Sequence, residues 1–229
     1  MPGKTTLVVL VPNGLRHPPF ACSASTPYGL AGFWWAQDEV MWLCPQPETD
    51  PRAVVMAAKE WHARGLICVA LGIALSRLLR PGDWVVPDDY VDLTRGGPTT
   101  FFEGEGRGYL PQIPPFAPEL RHALLNSLQD EVGPRHFDAG VLVGYTGPRV
   151  PTPAEARAWR LLGGDVAAPL ALPLIYLARE QEVPAATAIY ITQPLPQRPD
   201  TAPPPAALPA WDELERLIVR TAQSLSRST

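Results

Sequence analysis

The sequence predicts a single α/β domain built on a parallel or mixed sheet. Leu7–Val11 and Leu66–Leu71 are unbroken aliphatic runs of strand length, the pattern of strands buried on both faces. A helical apolar period over Pro51–Arg64 lies directly before the second run, so strand, helix and strand follow with short joints, as in a parallel crossover. A chain of 229 residues, 46% hydrophobic and 18% charged, can bury one core of this kind, and no linker or repeat divides residues 1–229 into two.

Leu7–Val11 stops at Pro12-Asn13-Gly14, a turn signal. Gly32–Trp35 and Glu39–Leu43 read as a hairpin around Gln37-Asp38, with Phe33, Trp34, Trp35 and Trp42 suited to strands. Four such aromatics exceed what a lone hairpin exposes, so they predict core or subunit contact. Asp50 and Pro51 form an N-cap and first helical position, and Val54, Val55, Ala58 and Trp61 recur at helical spacing up to Gly65. Trp84–Val86 reads as a short strand, Pro118–Glu131 as an amphipathic helix and Ala139–Gly144 as a buried strand. Thr152, Pro153 and Glu155 make a capping box for a helix over Pro153–Leu162. Leu172–Glu182 reads as a helix, Ala186–Thr192 as a strand and 210–227 as a terminal helix after a proline-rich loop. The 29 prolines cluster at Pro111–Pro118, Pro148–Pro153 and Pro194–Pro209, which predicts stiff connections.

A net charge of −4 and the lack of any Lys/Arg run argue against nucleic acid as a partner. The longest apolar runs, Leu7–Pro12 and Leu66–Leu75, are too short to span a bilayer, and Met1–Thr6 leads straight into a strand pattern, so a cytoplasmic location is expected. Cys22, Cys44 and Cys68 have neither CxxC nor metal spacing and read as isolated thiols. His62 and His122 fall in predicted helices without ligand-spaced partners, and Asp88-Asp89 and Glu103/Glu105 read as loop charges. No metal and no cofactor is expected.

Four segments in order carry a resemblance. They are Thr26-Pro27-Tyr28-Gly29; Arg80–Phe102, with PGD opening a strand and Asp92, Thr94 and Pro98-Thr99-Thr100-Phe101 after it; YTGPRV at Tyr145–Val150, followed by Thr152, Ala154 and Glu155; and LLGGDV at Leu161–Val166. Together they resemble the purine nucleoside phosphorylase and 5′-methylthioadenosine phosphorylase family. The resemblance implies a mixed, partly closed β-sheet flanked by helices, and a trimer or other homo-oligomer. It also implies phosphate as a co-substrate, with a purine nucleoside-type small molecule as ligand.

The chemistry implied is transfer of the sugar from a purine to phosphate, which requires a phosphate cradle, a ribose site and a proton donor or hydrogen bond at the base. By resemblance, Asn13 and Gly14 occupy the phosphate turn, where the family has a hydroxyl residue before the glycine. The Arg-His segment is compressed into Leu43-Cys44-Pro45-Gln46-Pro47, without a cation. Ala70 and Ala74 stand where the family has threonine and serine. Arg16 and His17 are the nearby cations that could compensate, or an exposed loop pair. Val150 replaces the stacking phenylalanine. Gln193 replaces the aspartate at the purine, and as a neutral amide it can hydrogen-bond a base but not act as a general acid. Pro169 and Leu174 stand in the ribose segment, and Thr192 precedes Gln193 at the end of the last strand. The expectation is a retained scaffold with weak, altered or lost phosphorolysis and a modified nucleoside-type pocket lined by Val150, Pro169, Thr192 and Gln193. An active pentosyltransferase with a rebuilt phosphate site is the alternative.

Overall fold

The computed structural model describes residues 7–12, 15, 22–35, 40–44, 49–102, 109–169, 171–194 and 205–227. Strand β1 (Leu7–Leu10) is buried throughout. It is flanked in parallel by β4 (Val40–Leu43) and β5 (Gly65–Ala74), and α1 (Pro51–Glu60) crosses between those two strands. This is the parallel crossover expected from the aliphatic runs.

β2 (Cys22–Thr26) and β3 (Gly29–Trp35) form a hairpin whose tip is Thr26–Gly29, and β3 continues antiparallel onto β4. β6 (Trp84–Val85), β7 (Asp89–Leu93), β8 (His136–Phe137), β9 (Val141–Tyr145), β10 (Val166–Ala168) and β11 (Ala185–Gln193) complete the described sheet. Its main path is β2-β3-β4-β1-β5-β10-β9-β7, and β11 branches from β5 to carry β6 and β8. The sheet is mixed and branches at β5, the long strand shared by both branches.

Alternation along β5 sorts the core into two faces. Leu66, Cys68 and Ala70 pack under α1 and α4 (Ala171–Glu180). Ile67 and Val69 pack with α2 (Pro118–Glu131) and α5 (Trp211–Arg227). A smaller cluster holds Leu75, Val143, Tyr145 and Ala167 against α3 (Pro153–Leu161) through Trp159. Phe33 and Trp42 belong to these cores, and Trp42 is fully buried with its ring 4.7 Å from that of Trp211. Intramolecular packing, rather than a subunit face, accounts for both. The side chains of Trp34 and Trp35 and the turn Gln37-Asp38 lie outside the described residues.

The structure corrects several boundaries. α1 ends at Glu60 rather than Arg64, because His62 takes a left-handed φ of 52° just past the helix end, so His62 is not a helical residue. The strand expected at Ala139–Gly144 runs Val141–Tyr145, with Gly140 at φ 153° before it. The helix expected over Leu172–Glu182 covers Ala171–Glu180 with extended dihedrals at Leu172, and Glu182 lies beyond its end at φ 59°. β2, β7, β8 and β10 were not expected; β8 and β10 have two and three residues, too few for any apolar period to register.

Candidate functional site

β11 runs along one edge of β5 from Leu66 to Ile73. On the opposite edge β1 pairs in parallel with Gly65–Cys68, and β10 pairs antiparallel with Ile73 and Ala74. β1 and β10 therefore approach the same edge from opposite directions, and their C-terminal ends converge on Val69–Gly72. Such a reversal of strand direction leaves a crevice at strand ends, where ligands bind in open α/β sheets.

Register shows which side chains share a face at these strand ends. Paired residues of neighbouring strands share a face, so Leu71 and Ile73 share theirs with Tyr190 and Gln193 of β11 and with Ala167 of β10. Pro169, next in line after Ala168, is half-buried, and a Cβ on Gly147 would stand 3.2 Å from it, so the β9–α3 loop touches the end of β10. Thr192 donates its hydroxyl to Gly72 O at 3.1 Å, and its own carbonyl accepts from Ala206 N at 2.8 Å. Thr192 and Gln193 thus lie beside Gly72 and Ile73 at the end of β11, and Pro169 lies at the end of β10 against Gly147. Val150 is on the exposed loop before α3, 56% accessible. Leu174 points into the α1/α4 core at 3% exposure and does not line the crevice. Asn13, Gly14, Arg16, His17 and Pro45–Pro47 lie outside the described residues.

The motif residues near the crevice serve as fasteners. Asp92 Oδ1 accepts from Thr94 N at 2.8 Å and Thr94 Oγ1 at 2.6 Å. Thr146 Oγ1 accepts from Arg95 N and donates to Arg95 O, clasping the end of β7 to the end of β9. Asp83, 4% exposed, accepts from Arg80 N at 2.7 Å and pairs with Arg135 at 2.7 Å, so the PGD segment is a buried anchor. The Tyr28 ring of the hairpin tip meets Phe101 edge-on at 5.2 Å, which joins two of the four resembling segments. The Thr146–Arg95, Asp83–Arg135 and Tyr28–Phe101 contacts were not visible as spacing, because each joins distant parts of the chain.

Arg149 is engaged by Glu155 in a two-pronged pair of 2.7 and 2.8 Å, and Glu155 also accepts from Thr152 N in the capping box. The Arg149 hydrogen bond, followed by that of Thr152, holds the Glu155 carboxyl down at about 2, from an ordinary value of 4.5. A depressed carboxylate contributes stability above its unfolded pKa and loses it as pH falls through the folded value. Glu155→Gln is therefore expected to flatten the acid limb of thermal stability between roughly pH 4.5 and about 2. The pair is exposed, so added salt should weaken the difference.

Burial pushes up the Tyr145 phenol at the end of β9, so it stays protonated near neutrality. Burial, then the charge of Asp92, pushes up that of Tyr176. Buried Cys68 is pushed up to about 12 by desolvation. No group of three or more His, Cys, Asp and Glu placed to hold a metal occurs among the described residues, and no helix there is long and apolar enough to cross a membrane.

Comparison with known proteins follows the same architecture. A methylthioadenosine phosphorylase from Schistosoma mansoni, solved with tubercidin, superposes with a TM-score of 0.82 over 98% of this chain and 93% of that one at 18% identity, a likeness of fold. A probable S-methyl-5'-thioinosine phosphorylase of Methanopyrus kandleri is 38% identical over 140 residues, 61% of this chain and 54% of the relative. The 6-oxopurine nucleoside phosphorylase of Pyrococcus furiosus is 34% identical over 155 residues, 65% of this chain and 58% of the relative. The chain spans about half the length of the curated relatives it matches. The family model described as the phosphorylase superfamily matches residues 40–218, which include the branch at β5 and every described strand end around the crevice except that of β1. On that match the chain belongs to the phosphorylase superfamily.

Proposed function

We propose that this protein holds a purine or purine nucleoside in the crevice at Val69–Gly72, with phosphorolysis weak or lost. The observation that carries the reading is Gln193. It stands at the end of β11, on the face shared with Leu71 and Ile73, where its amide can both donate to and accept from a purine edge. A purine leaving a sugar gathers negative charge that must be met by a proton or a strong donor. A neutral amide supplies a hydrogen bond and no proton. Leu71 and Pro169, both partly exposed, add apolar surface for a planar base and no acid. The names of the M. kandleri, P. furiosus and S. mansoni relatives support the purine class of ligand. The protein is proposed to act in the cytoplasm and, as the family resemblance implies, as a homo-oligomer.

The test is release of free base from methylthioadenosine, adenosine, inosine and guanosine at high phosphate. The expected result is measurable binding of purine base by calorimetry with turnover at or near background. Phosphate-dependent release that disappears in an Arg16→Ala, His17→Ala double variant would overturn the reading in favour of an active pentosyltransferase with a rebuilt phosphate site.

A further inference from the structure

The end of β11 is irregular at one place. Ile191 pairs with Gly72 and Gln193 pairs with Ile73, so Thr192 is an extra residue, a β-bulge. Without the bulge, Gln193 would point the same way as Ile191, two residues earlier, into the α1/α4 core. With it, Gln193 takes the face of Ile73, Leu71 and Tyr190. One inserted residue changes the face on which the amide is presented.

A bulge leaves backbone groups without ladder partners, and this one has specific substitutes. Gly72 O accepts from the Thr192 hydroxyl at 3.1 Å. The carbonyl of Thr192 turns away and accepts from Ala206 N at 2.8 Å, and the Tyr190 hydroxyl donates to Ala207 O at 2.9 Å. On the other edge, Ile191 exchanges backbone bonds with Gly82 and Asp83 at 2.8 and 2.9 Å, so the bulge is held from both sides. We propose that Thr192 is a positioning residue. Its hydroxyl closes the bulge onto Gly72 and thereby sets Gln193 on the ligand-facing side of the sheet, so that Thr192 acts through Gln193 rather than by touching the ligand.

This inference rests on the purine-binding reading for its functional readout and on geometry for its structural one, and the experiment separates the two. Thr192→Val keeps shape and removes the donor; Thr192→Ser keeps the donor. In full-length protein, Thr192→Val is expected to weaken binding of hypoxanthine or adenine about tenfold, as for a lost hydrogen bond that leaves a carbonyl unpaired. Thr192→Ser should bind like the native protein. In a Gln193→Ala background the Thr192→Val loss should vanish, because a residue acting through another is not additive with it. A merely structural role would lower thermal stability and leave the two losses additive. Backbone amide NMR gives the ligand-independent arm: Thr192→Val should shift the Gln193, Ile73 and Ala206 signals, and Thr192→Ser should not. Native protein that binds no purine base, with those shifts present, would sink the ligand reading and leave the positioning role standing. Unchanged shifts, or equal affinity of Thr192→Val and native protein, would overturn the positioning role.

Discussion

Trp42→Ala is expected to lower stability by about 3–5 kcal/mol, the range for removing a large aromatic from a packed core. Trp42 has no accessible surface, lies on β4 between antiparallel β3 and parallel β1, and sets its ring 4.7 Å from that of Trp211 at the start of α5, tilted by 58°. Its loss would leave a cavity among Leu7, Val9, Val40 and Leu217, side chains of the same cluster that neighbouring backbone holds in place. For a chain of this length the change corresponds to a fall in Tm of roughly 10 °C, measurable by calorimetry. Trp42→Phe should recover most of it. A fall of only a degree or two would mean that α5 is not anchored through this contact.

The second large effect is expected at Gly72, which pairs with Ile191 of β11 and directly precedes the ladder to β10. A Cβ there would overlap Ile189 Cγ2, stand 3.0 Å from Val166 Cγ2 and reach 3.4 Å from Ala167 O. Two of those neighbours are β-branched side chains with one strongly preferred rotamer, so they cannot swing away. Gly72→Val is expected to cost about 1–3 kcal/mol by overpacking and to displace the carbonyl that receives the Thr192 hydroxyl. Purine-base affinity should therefore fall further than stability alone would explain, which titration well below the melting temperature would detect. A folded Gly72→Val protein of native affinity would show that this carbonyl has no part in shaping the crevice.

Local signals were readable wherever the physics is local. The capping box of Thr152 and Glu155 is a pattern of four consecutive residues, and it stands in the structure with both hydrogen bonds made. Pro118–Glu131 begins at a proline and continues as an unbroken helical period, and its bounds agree with α2. β1, β5 and β11 are aliphatic because both faces are covered, so burial itself wrote the signal. The site was legible only as residue identities: Gln193 and Pro169 could be named, and the strand ends that place them could not be read. Leu174 was assigned to the pocket by position in a motif, whereas packing under α1 takes it into the core.

Composition, apolar period and capping residues were enough for the α/β class, most helices and the long buried strands, because each of these depends on side chains within a turn or two of one another. The branch of the sheet at β5, the convergence of β1 and β10 on Val69–Gly72 and the bulge at Thr192 depend on which strand lies beside which, and at what register. A ladder is made of backbone groups that every residue carries, so its register leaves little trace in residue type. Thr192 shows the difference most plainly: in the chain it is one more β-branched residue of a strand, and in the folded sheet it is the extra residue that puts Gln193 in register with Ile73.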